Sequence, residues 1–288
     1  MENTNNYNLR PLWDAILEVY KVFAAICDKH GLRYQAAMGT ALGAVRHGGF
    51  IPWDDDIDIM MPRPDYDRFL EVAELELPNH LKRLIYGNVK KLPDGTEEVV
   101  WRHWCTIRDN RENVAREIGI QSNLAIIEGI YIDIFPIDGM PSSNLSFFLW
   151  RICRSFLLAG GYSYGKDSPA FLSGLWIRKH VIGRLARVVF PFCRSSEDFF
   201  WKVETFGKRR SYSKSKFAGF AYSAIKGEMR QPRFLFNESI IMKFEDITIP
   251  IPRDYDLYLR LTFGDWRTLP PEEKRRLGHQ VVNPVVQV

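Results

Sequence analysis

Four aspartates lie within five consecutive positions of the chain, in the segment WDDDID that begins at Trp53. Two of them, Asp56 and Asp58, open a run to position 61 in which every second residue is isoleucine or methionine. This alternation predicts a strand with both carboxylates on one face, about 6.5 to 7 Å apart, a span that one or two divalent ions can bridge. Hard oxygen ligands suit Mg²⁺ or Mn²⁺. We therefore predict a metal site on Asp56 and Asp58, with Asp54 beside it as a further catalytic group.

Two structural alternatives apply to this acidic run. The first is a solvated acidic loop, the usual state of a charge cluster, although the apolar alternation argues against it. The second is a calcium-binding loop of the EF-hand type, because Asp54, Asp56 and Asp58 match its opening spacing. That loop requires glycine at its sixth position and glutamate at its twelfth, where this sequence has Ile59 and Asp65. The sequence therefore favours the metal site on a strand.

A second strand is predicted at 129–136, GIYIDIFP, where Asp133 is surrounded by apolar residues. A buried carboxylate is costly unless it is paired, hydrogen-bonded or bound to metal. Asp133 is therefore either a third metal ligand or a carboxylate satisfied by local hydrogen bonds or by a nearby arginine. The residues alone leave both interpretations open.

The elements that must position these carboxylates follow each other along the chain as helices and strands. Gly39-Thr40 precedes a short helical stretch, where glycine lets backbone N–H groups approach a phosphate and a helix start favours an anion. Glycine and proline then mark the loop 47–52, which leads into the acidic run. The predicted helices are 11–30, 41–46, 65–76 and 254–263, and the predicted strands are 33–38, 56–61, 99–108, 129–136 and 247–252.

The segment 145–194 differs from the rest of the chain because it contains eight Lys or Arg residues and one acid, Asp167. Aromatic and aliphatic residues are interleaved with the arginines, which predicts two amphipathic helices separated by Gly160-Gly161 and Pro169. Its uncharged runs are shorter than the ~20 apolar residues that span a bilayer. Residues 145–192 are predicted either to contact an anionic membrane surface or to form a helical subdomain with solvated arginines.

The bulk composition is that of a globular enzyme. The 288 residues are 46% hydrophobic and 26% charged, and the formal net charge is only +4, which argues against a disordered or generally nucleic-acid-binding chain. The polar first residues lack a basic and then apolar leader, so no secretory signal is predicted. Four widely spaced cysteines without a metal-binding pattern are expected to be reduced and mostly buried. These features predict a cytoplasmic protein that does not bind nucleic acid.

The stretch MGTALGAVRHGGFIPWDDDID, residues 38–58, resembles the signature of the LicD family. That family includes bacterial enzymes that transfer phosphocholine from CDP-choline to cell-surface glycans, and the fukutin-related proteins are its eukaryotic relatives. The resemblance continues in further blocks, at 62–70, 132–139, 249–255 and 263–266. It therefore covers both ends of the chain, whereas the basic segment matches no motif of the family.

The resemblance implies an α+β fold of the nucleotidyltransferase type, in which helices flank a mixed β-sheet. The basic helices would then be an insertion into this domain. The expected division is a catalytic core with the metal site at 1–140, a basic amphipathic helical insertion at 141–200, and a part at 201–288 that completes the domain.

The resemblance also distributes roles among residues. It places the glycine-led turn of the fold at Gly39-Thr40 and the metal on three carboxylates, Asp56, Asp58 and Asp133. Arg46 and Arg108 are expected close to donor phosphates, because a guanidinium group matches phosphate oxygens in a bidentate way.

The implied reaction is a Mg²⁺- or Mn²⁺-dependent transfer of a phosphocholine-type group from CDP-choline, with release of CMP. The acceptor would be a glycan, free or lipid-linked, such as a lipopolysaccharide, capsule or teichoic acid precursor. Ethanolamine, aminoethylphosphonate and polyol phosphates are alternative head groups, and Asp54 and Asp138 are alternative general bases. A choline head group requires an aromatic cage. Candidate cage residues are Trp53, Trp104, Tyr131, Tyr255, Tyr258 and Trp266.

Two other functions use the same features. A glycosyltransferase also binds a nucleotide-sugar donor through a metal on an Asp-x-Asp pair, and it differs from the first hypothesis in the donor that it cleaves. A calcium- or glycan-binding module would cleave no donor at all. The oligomeric state is left open by the sequence.

Overall fold

The computed structural model describes residues 9–91, 97–111, 130–164, 181–223 and 226–275. Its helices are α1 (Arg10–His30), α2 (Met38–Arg46), α3 (Arg63–Glu76), α4 (Asn144–Tyr162), α5 (Gly183–Val189), α6 (Ser196–Lys208), α7 (Lys226–Met229) and α8 (Tyr255–Phe263). Its strands are β1 (Gln35–Ala36), β2 (Asp58–Pro62), β3 (Leu81–Lys91), β4 (Glu97–Asp109), β5 (Ile130–Met140), β6 (Phe217–Phe220), β7 (Gln231–Pro232), β8 (Ser239–Phe244) and β9 (Ile247–Pro252).

Strand β5 lies at the centre of a seven-stranded mixed sheet in the described part of the chain. β2 pairs with it in parallel, whereas β4 and β6 pair with it antiparallel along different parts of its length. β1 extends the sheet beyond β2, β3 extends it beyond β4, and β7 extends it beyond β6. β8 and β9 form a separate antiparallel hairpin. A mixed sheet flanked by helices confirms the predicted α+β class.

The two faces of the sheet differ in chemistry. Ile59, Ile132 and Ile134 are fully buried, on the face that α1 and α3 cover. Because successive strand residues point to opposite sides, Asp58 and Asp133 project from the other face. The apolar alternation in β2 and β5 therefore fixes which face of the sheet carries carboxylates.

Helix α1 follows directly from its sequence. Leu12, Ile16 and Phe23 recur at helical spacing and are buried against the sheet. The helix ends at Gly31, whose φ of 62° is a left-handed conformation that glycine adopts without strain. The structure confirms this predicted helix and those at 65–76 and 254–263, together with the strands predicted at 99–108, 129–136 and 247–252.

Around the acidic run, the predicted boundaries are wrong in detail. β1 is limited to the two residues that pair with β2, and Gly39-Thr40 lies inside the first turn of α2 instead of preceding it. β2 begins at Asp58, so Asp56 precedes the strand. The reason is that residues 54–57 pass around the start of α2 before the chain enters the sheet.

The glycine pair 160–161 lies inside α4, so the prediction that it separates two helices is wrong. A Cβ on Gly160 would come within 2.3 Å of the Phe199 ring, and glycine is therefore what allows α4 and α6 to pack closely. Pro169 and the rest of 165–180 lie outside the described residues. No helix of the described ranges has the length and apolar content that a membrane crossing requires.

A buried ion network joins α3, β5 and α6. The Arg63 guanidinium donates two hydrogen bonds of 2.7 Å to Asp138 and one of 3.3 Å to Glu204. Nδ1 of His103, on β4, lies 3.3 Å from Glu204. Burial by itself raises the pKa of Glu204, but the His103 contact and the charges of Arg63 and Lys208 lower it to about 2. The network fixes α3 and α6 on the sheet face opposite the one that carries Asp58 and Asp133.

Candidate active site

Asp58 and Asp133 lie opposite each other on the parallel strands β2 and β5. Neighbouring strands are about 4.8 Å apart, so the two carboxylates stand side by side on one face of the sheet. Oγ1 of Thr106, on the next strand, donates a 2.6 Å hydrogen bond to Oδ1 of Asp133. The sheet therefore brings together two of the three predicted metal ligands and orients one of them.

The backbone of Asp58 is fixed by the start of α2. Its N–H donates a 2.8 Å hydrogen bond to Oγ1 of Thr40, and its carbonyl accepts one of 2.8 Å from the N–H of Ala37. Thr40 is buried, and its hydroxyl accepts a hydrogen bond from the first residue of β2. Thr40 therefore positions a carboxylate, whereas its predicted contact with a phosphate stays a prediction.

The acidic loop places its carboxylates close together as well. One oxygen each of Asp54, Asp55 and Asp56 lies within 4.8 Å of the others. The Trp13 indole donates a 2.9 Å hydrogen bond to the carbonyl of Asp54, which holds the loop against α1. Asp55 is fully buried.

Gly39 is needed at the contact between this loop and α2. A Cβ at that position would lie 2.8 Å from Oδ2 of Asp54, closer than real Cβ atoms approach a carboxylate oxygen. The preceding residue, Met38, has a φ of 43° and donates its N–H to the Tyr258 hydroxyl at 3.0 Å. The glycine in the predicted turn therefore makes room for a carboxylate of the acidic loop.

The carboxylates repel one another electrostatically. Burial, and then the charge of Asp55, raises the pKa of Asp54 to about 7. Burial together with neighbouring charges, those of Asp54 and Asp133 among them, raises the pKa of Asp56 well above its ordinary range. Burial and the charges of Asp56, Asp133 and Asp54 do the same for Asp58. The charges of the predicted metal ligands therefore raise one another's pKa values.

These groups fit a hard divalent cation. All the donors are carboxylate oxygens, and the repulsion that raises their pKa values is relieved by a bound positive charge. Mg²⁺ and Mn²⁺ prefer such oxygens and leave positions for water or phosphate. Among the described residues, the three carboxylates whose oxygens come within 4.8 Å of one another are those of Asp54, Asp55 and Asp56.

Metal addition is expected to stabilise the protein, and to do so more strongly at higher pH. With raised folded-state pKa values, the metal-free cluster holds protons, and its repulsion costs stability as pH rises through about 7. A cation that displaces those protons offsets this cost. Thermal unfolding with Mg²⁺ or with EDTA, at about pH 6 and about pH 8, should give an increase in Tm of several degrees that is larger at the higher pH. An equal increase at both pH values, or an unchanged increase in Asp58→Asn, would contradict this site.

The two predicted phosphate-binding arginines occupy different positions. Arg108 lies two residues from Thr106 on β4, on the face that carries Asp133, and is partly exposed. Arg46 lies at the other end of α2 from Gly39, about 10 Å along the helix axis. It donates a 3.1 Å hydrogen bond to the carbonyl of Trp266, and burial, with the charge of Arg275, lowers its pKa. Arg108 is therefore the better placed of the two beside the carboxylates.

Aromatic rings lie on the same face of the sheet. The ring centroid of Trp104, two residues from Thr106, lies 5.6 Å from that of Phe135 and 6.1 Å from that of Phe220. Among the six predicted cage residues, Tyr131, Tyr258 and Trp266 are buried. Trp104 is partly exposed and belongs to the strand that bears Thr106, which makes it the aromatic residue best placed for a head group.

Two polar residues of the site carry no recognisable sequence signal. The carboxyl of Glu228 is buried on α7, accepts a 2.6 Å hydrogen bond from Ser223 and raises the pKa of Asp58 through its charge. Thr106 lies on a correctly predicted strand, but its contact with Asp133 depends on the register between β4 and β5. Both depend on long-range packing, which no local pattern reports.

Comparison with known proteins agrees with this geometry. Residues 31–108, from the end of α1 to Arg108, match the family model for the LicD/FKTN/FKRP nucleotidyltransferase domain. The lipopolysaccharide cholinephosphotransferase LicD of Haemophilus influenzae is 27% identical over 266 residues, which cover 91% of this chain and 92% of that protein.

A shorter similarity extends to eukaryotes. The ribitol 5-phosphate transferase FKRP of Homo sapiens is 40% identical over 45 residues, 16% of this chain and 9% of that protein. With the domain match at residues 31–108 and the similarity to LicD over nearly its whole length, the chain resembles the LicD family.

Proposed function

We propose that this chain is a phosphotransferase that moves a phosphocholine-type group from CDP-choline to a hydroxyl of a lipopolysaccharide or another cell-surface glycan. One observation carries the proposal. Asp58 and Asp133 are register partners on one sheet face, and their charges and those of the acidic loop act on one another, in a chain similar over nearly its whole length to a lipopolysaccharide cholinephosphotransferase. Capsule and teichoic acid precursors are acceptors with the same hydroxyl chemistry.

In the proposed reaction, the glycan hydroxyl oxygen forms a bond to the phosphorus that carries choline. The bond from that phosphorus to the bridging oxygen breaks, CMP leaves with the electron pair, and the hydroxyl proton passes to Asp54. Asp56, Asp58 and Asp133 would hold Mg²⁺ or Mn²⁺, which when bound supplies positive charge to the diphosphate oxygens. Alignment of the hydroxyl oxygen with the phosphorus supplies much of the remaining acceleration.

Asp54 is a better general base than Asp138. Both Asp138 oxygens accept hydrogen bonds from Arg63, and the residue is buried on the opposite side of the sheet. Asp54 lies in the acidic loop beside the proposed metal ligand Asp56, where the acceptor hydroxyl would approach. Asp54 is therefore assigned as the general base because Asp138 is already paired with Arg63.

The donor phosphates are proposed to contact Arg108 and the α2 start at Gly39-Thr40. Arg108 shares the sheet face with Asp133, and a guanidinium can bind two phosphate oxygens at once. We assign Arg46, with its neighbour Arg275, to the outer rim of the donor site, because it lies at the far end of α2.

The head group is proposed to lie against Trp104. A quaternary ammonium has no N–H to donate in a hydrogen bond and is held by aromatic faces, each contributing on the order of 1 kcal/mol. Trp104 is partly exposed beside Thr106, and the buried rings of Phe135 and Phe220 pack against it. A ribitol phosphate is the second candidate head group, because the match to the ribitol 5-phosphate transferase favours a polyol.

We propose that the enzyme acts in the cytoplasm, at the inner face of the cytoplasmic membrane, where a lipid-linked acceptor would be presented. Three of its four cysteines are buried and all four are free thiols, which suits a reducing compartment. The division into a core at 1–140, a helical insertion at 141–200 and a completing part at 201–288 belongs to the same proposal.

A donor panel tests the function directly. The protein would be incubated with Mg²⁺ and with CDP-choline, CDP-ethanolamine, CDP-ribitol or a UDP-sugar, and CMP or UDP release would be measured with and without a glycan acceptor. We expect acceptor-dependent CMP release that is fastest with CDP-choline. UDP release alone would replace the proposal by a glycosyltransferase, and no cleavage of any donor would favour a binding module.

A further inference from the structure

Helix α5 and the turn after it expose an unusually apolar surface. Leu185 is 54% exposed, Val188 75% and Phe192 89%. Leu185 and Val188 are three residues apart on one side of α5, and Phe192 lies in the turn that follows the helix. Exposed aliphatic and aromatic side chains in a continuous row mark an interaction surface more often than isolated ones do.

An arginine-lined cavity opens beside this apolar row. It has a volume of about 660 Å³, and its lining includes Arg184, Arg187 and Arg194 together with Val188. The Arg187 guanidinium lies 4.2 Å from the centre of the Tyr164 ring, which holds it in place through a cation–π contact. Three guanidinium groups around one open cavity form a binding site for an anion such as phosphate.

The positive charge of the cavity has little local compensation. The sequence contains no acid at 145–164 or 181–194. Within the described ranges, no carboxylate forms an ion pair with the side chains of Arg184, Arg187 or Arg194. Asp198 is the nearby acid, and its carboxylate accepts hydrogen bonds from the backbone N–H groups of Arg194 and Ser195 as part of the cap of α6. The three guanidinium groups therefore attract an anion from outside.

We propose that this surface binds the face of an anionic phospholipid bilayer. Leu185, Val188 and Phe192 enter the boundary between head groups and acyl chains, and Arg184, Arg187 and Arg194 hold lipid phosphates in the cavity. An amphipathic segment with arginines beside an apolar row is the form of helix that lies in a membrane interface. A soluble protein partner would satisfy the apolar row but would leave three arginines to be matched, whereas a phosphate-rich bilayer surface satisfies both.

The inference is independent of the phosphotransfer chemistry, because the cavity lies outside the carboxylate site. It identifies which surface of the basic segment meets the membrane and which chemical group of the lipid is recognised. Transfer to a soluble acceptor should therefore be unaffected by changes in the cavity, and this separates the two proposals.

Vesicle sedimentation of the full chain tests the inference. The vesicles would contain phosphatidylcholine alone or with about a third phosphatidylglycerol, and the wild type should sediment only with the anionic vesicles. Arg184→Gln/Arg187→Gln/Arg194→Gln should lower the vesicle affinity on the order of 100-fold, because three lipid-facing charges are lost. Arg209→Gln/Arg210→Gln/Lys214→Gln removes the same charge from exposed positions elsewhere and should stay near the wild type.

A second matched pair tests the apolar row. Phe192→Ser should lower the affinity for anionic vesicles about tenfold through lost insertion. Leu75→Ser, at a position that is 86% exposed on α3, should have no effect. Circular dichroism and transfer to a soluble acceptor should be unchanged in all four variants.

Results that contradict the membrane surface can be distinguished from results that contradict the proposed phosphotransfer. Equal sedimentation of the wild type and both cavity-side variants would overturn the inference. Displacement of the protein from vesicles by millimolar inorganic phosphate at constant ionic strength, with saturable phosphate binding in solution, would show a free-phosphate site instead of a membrane surface. Loss of transfer activity with vesicle binding retained would concern the carboxylate site alone.

Discussion

Asp58→Asn is expected to reduce transfer from the CDP-linked donor by roughly a thousandfold. Asp58 stands beside Asp133, and neutralising it removes one of the charges that would hold the cation on the donor diphosphate. Asparagine keeps the size of the side chain, and the hydrogen bond between the Asp58 N–H and Thr40 involves only the backbone. The loss should therefore be one of chemistry, with the fold retained.

The measurement is acceptor-dependent CMP release at saturating donor, with thermal unfolding recorded on the same samples. The metal-free variant should unfold at an equal or higher temperature than the wild type, because one source of repulsion with Asp56 is gone. Asp246→Asn, an exposed aspartate in the turn between β8 and β9, is the matched control and should remain fully active. If Asp58→Asn turned over donor at the wild-type rate, the proposed carboxylate mechanism would be excluded.

Arg63→Leu is expected to lower the free energy of unfolding by about 3 to 5 kcal/mol. Arg63 is the shared cation of Asp138 and Glu204, and all three side chains are nearly inaccessible to solvent. Its removal leaves two carboxylates buried without their main positive partner. Urea unfolding followed by fluorescence would measure the loss.

The control for this substitution lies on the same helix. Arg68 pairs with Glu71 at the surface, so Arg68→Leu should cost about 0 to 1 kcal/mol. The network should also make stability sensitive to acid. A carboxylate with a lowered folded-state pKa stabilises the protein above its unfolded value and loses that contribution as pH falls towards about 2. Comparable losses for Arg63→Leu and Arg68→Leu would contradict the importance of the buried network.

Local patterns predicted most of the elements around the site. α1, α3 and α8 follow from apolar residues at helical spacing, and β4 and β5 follow from dense apolar runs. The predicted ends of elements were wrong where tertiary contacts determine them. Gly160-Gly161 has the composition of a helix end, yet it continues α4 because Phe199 packs where a side chain would be.

The sequence by itself determined that a carboxylate cluster exists and on which side of β2 Asp58 lies, because the strand period of two sets the direction of each side chain. It also indicated Asp133 as a costly carboxylate in an apolar strand. Only the tertiary structure decided that Asp58 and Asp133 are register partners, that Thr106 orients one of them, and that Arg63 already pairs with Asp138. The physical reason is that register and ion pairing join residues far apart in the chain, and packing of the whole sheet selects them, whereas side-chain direction within a strand is a local property.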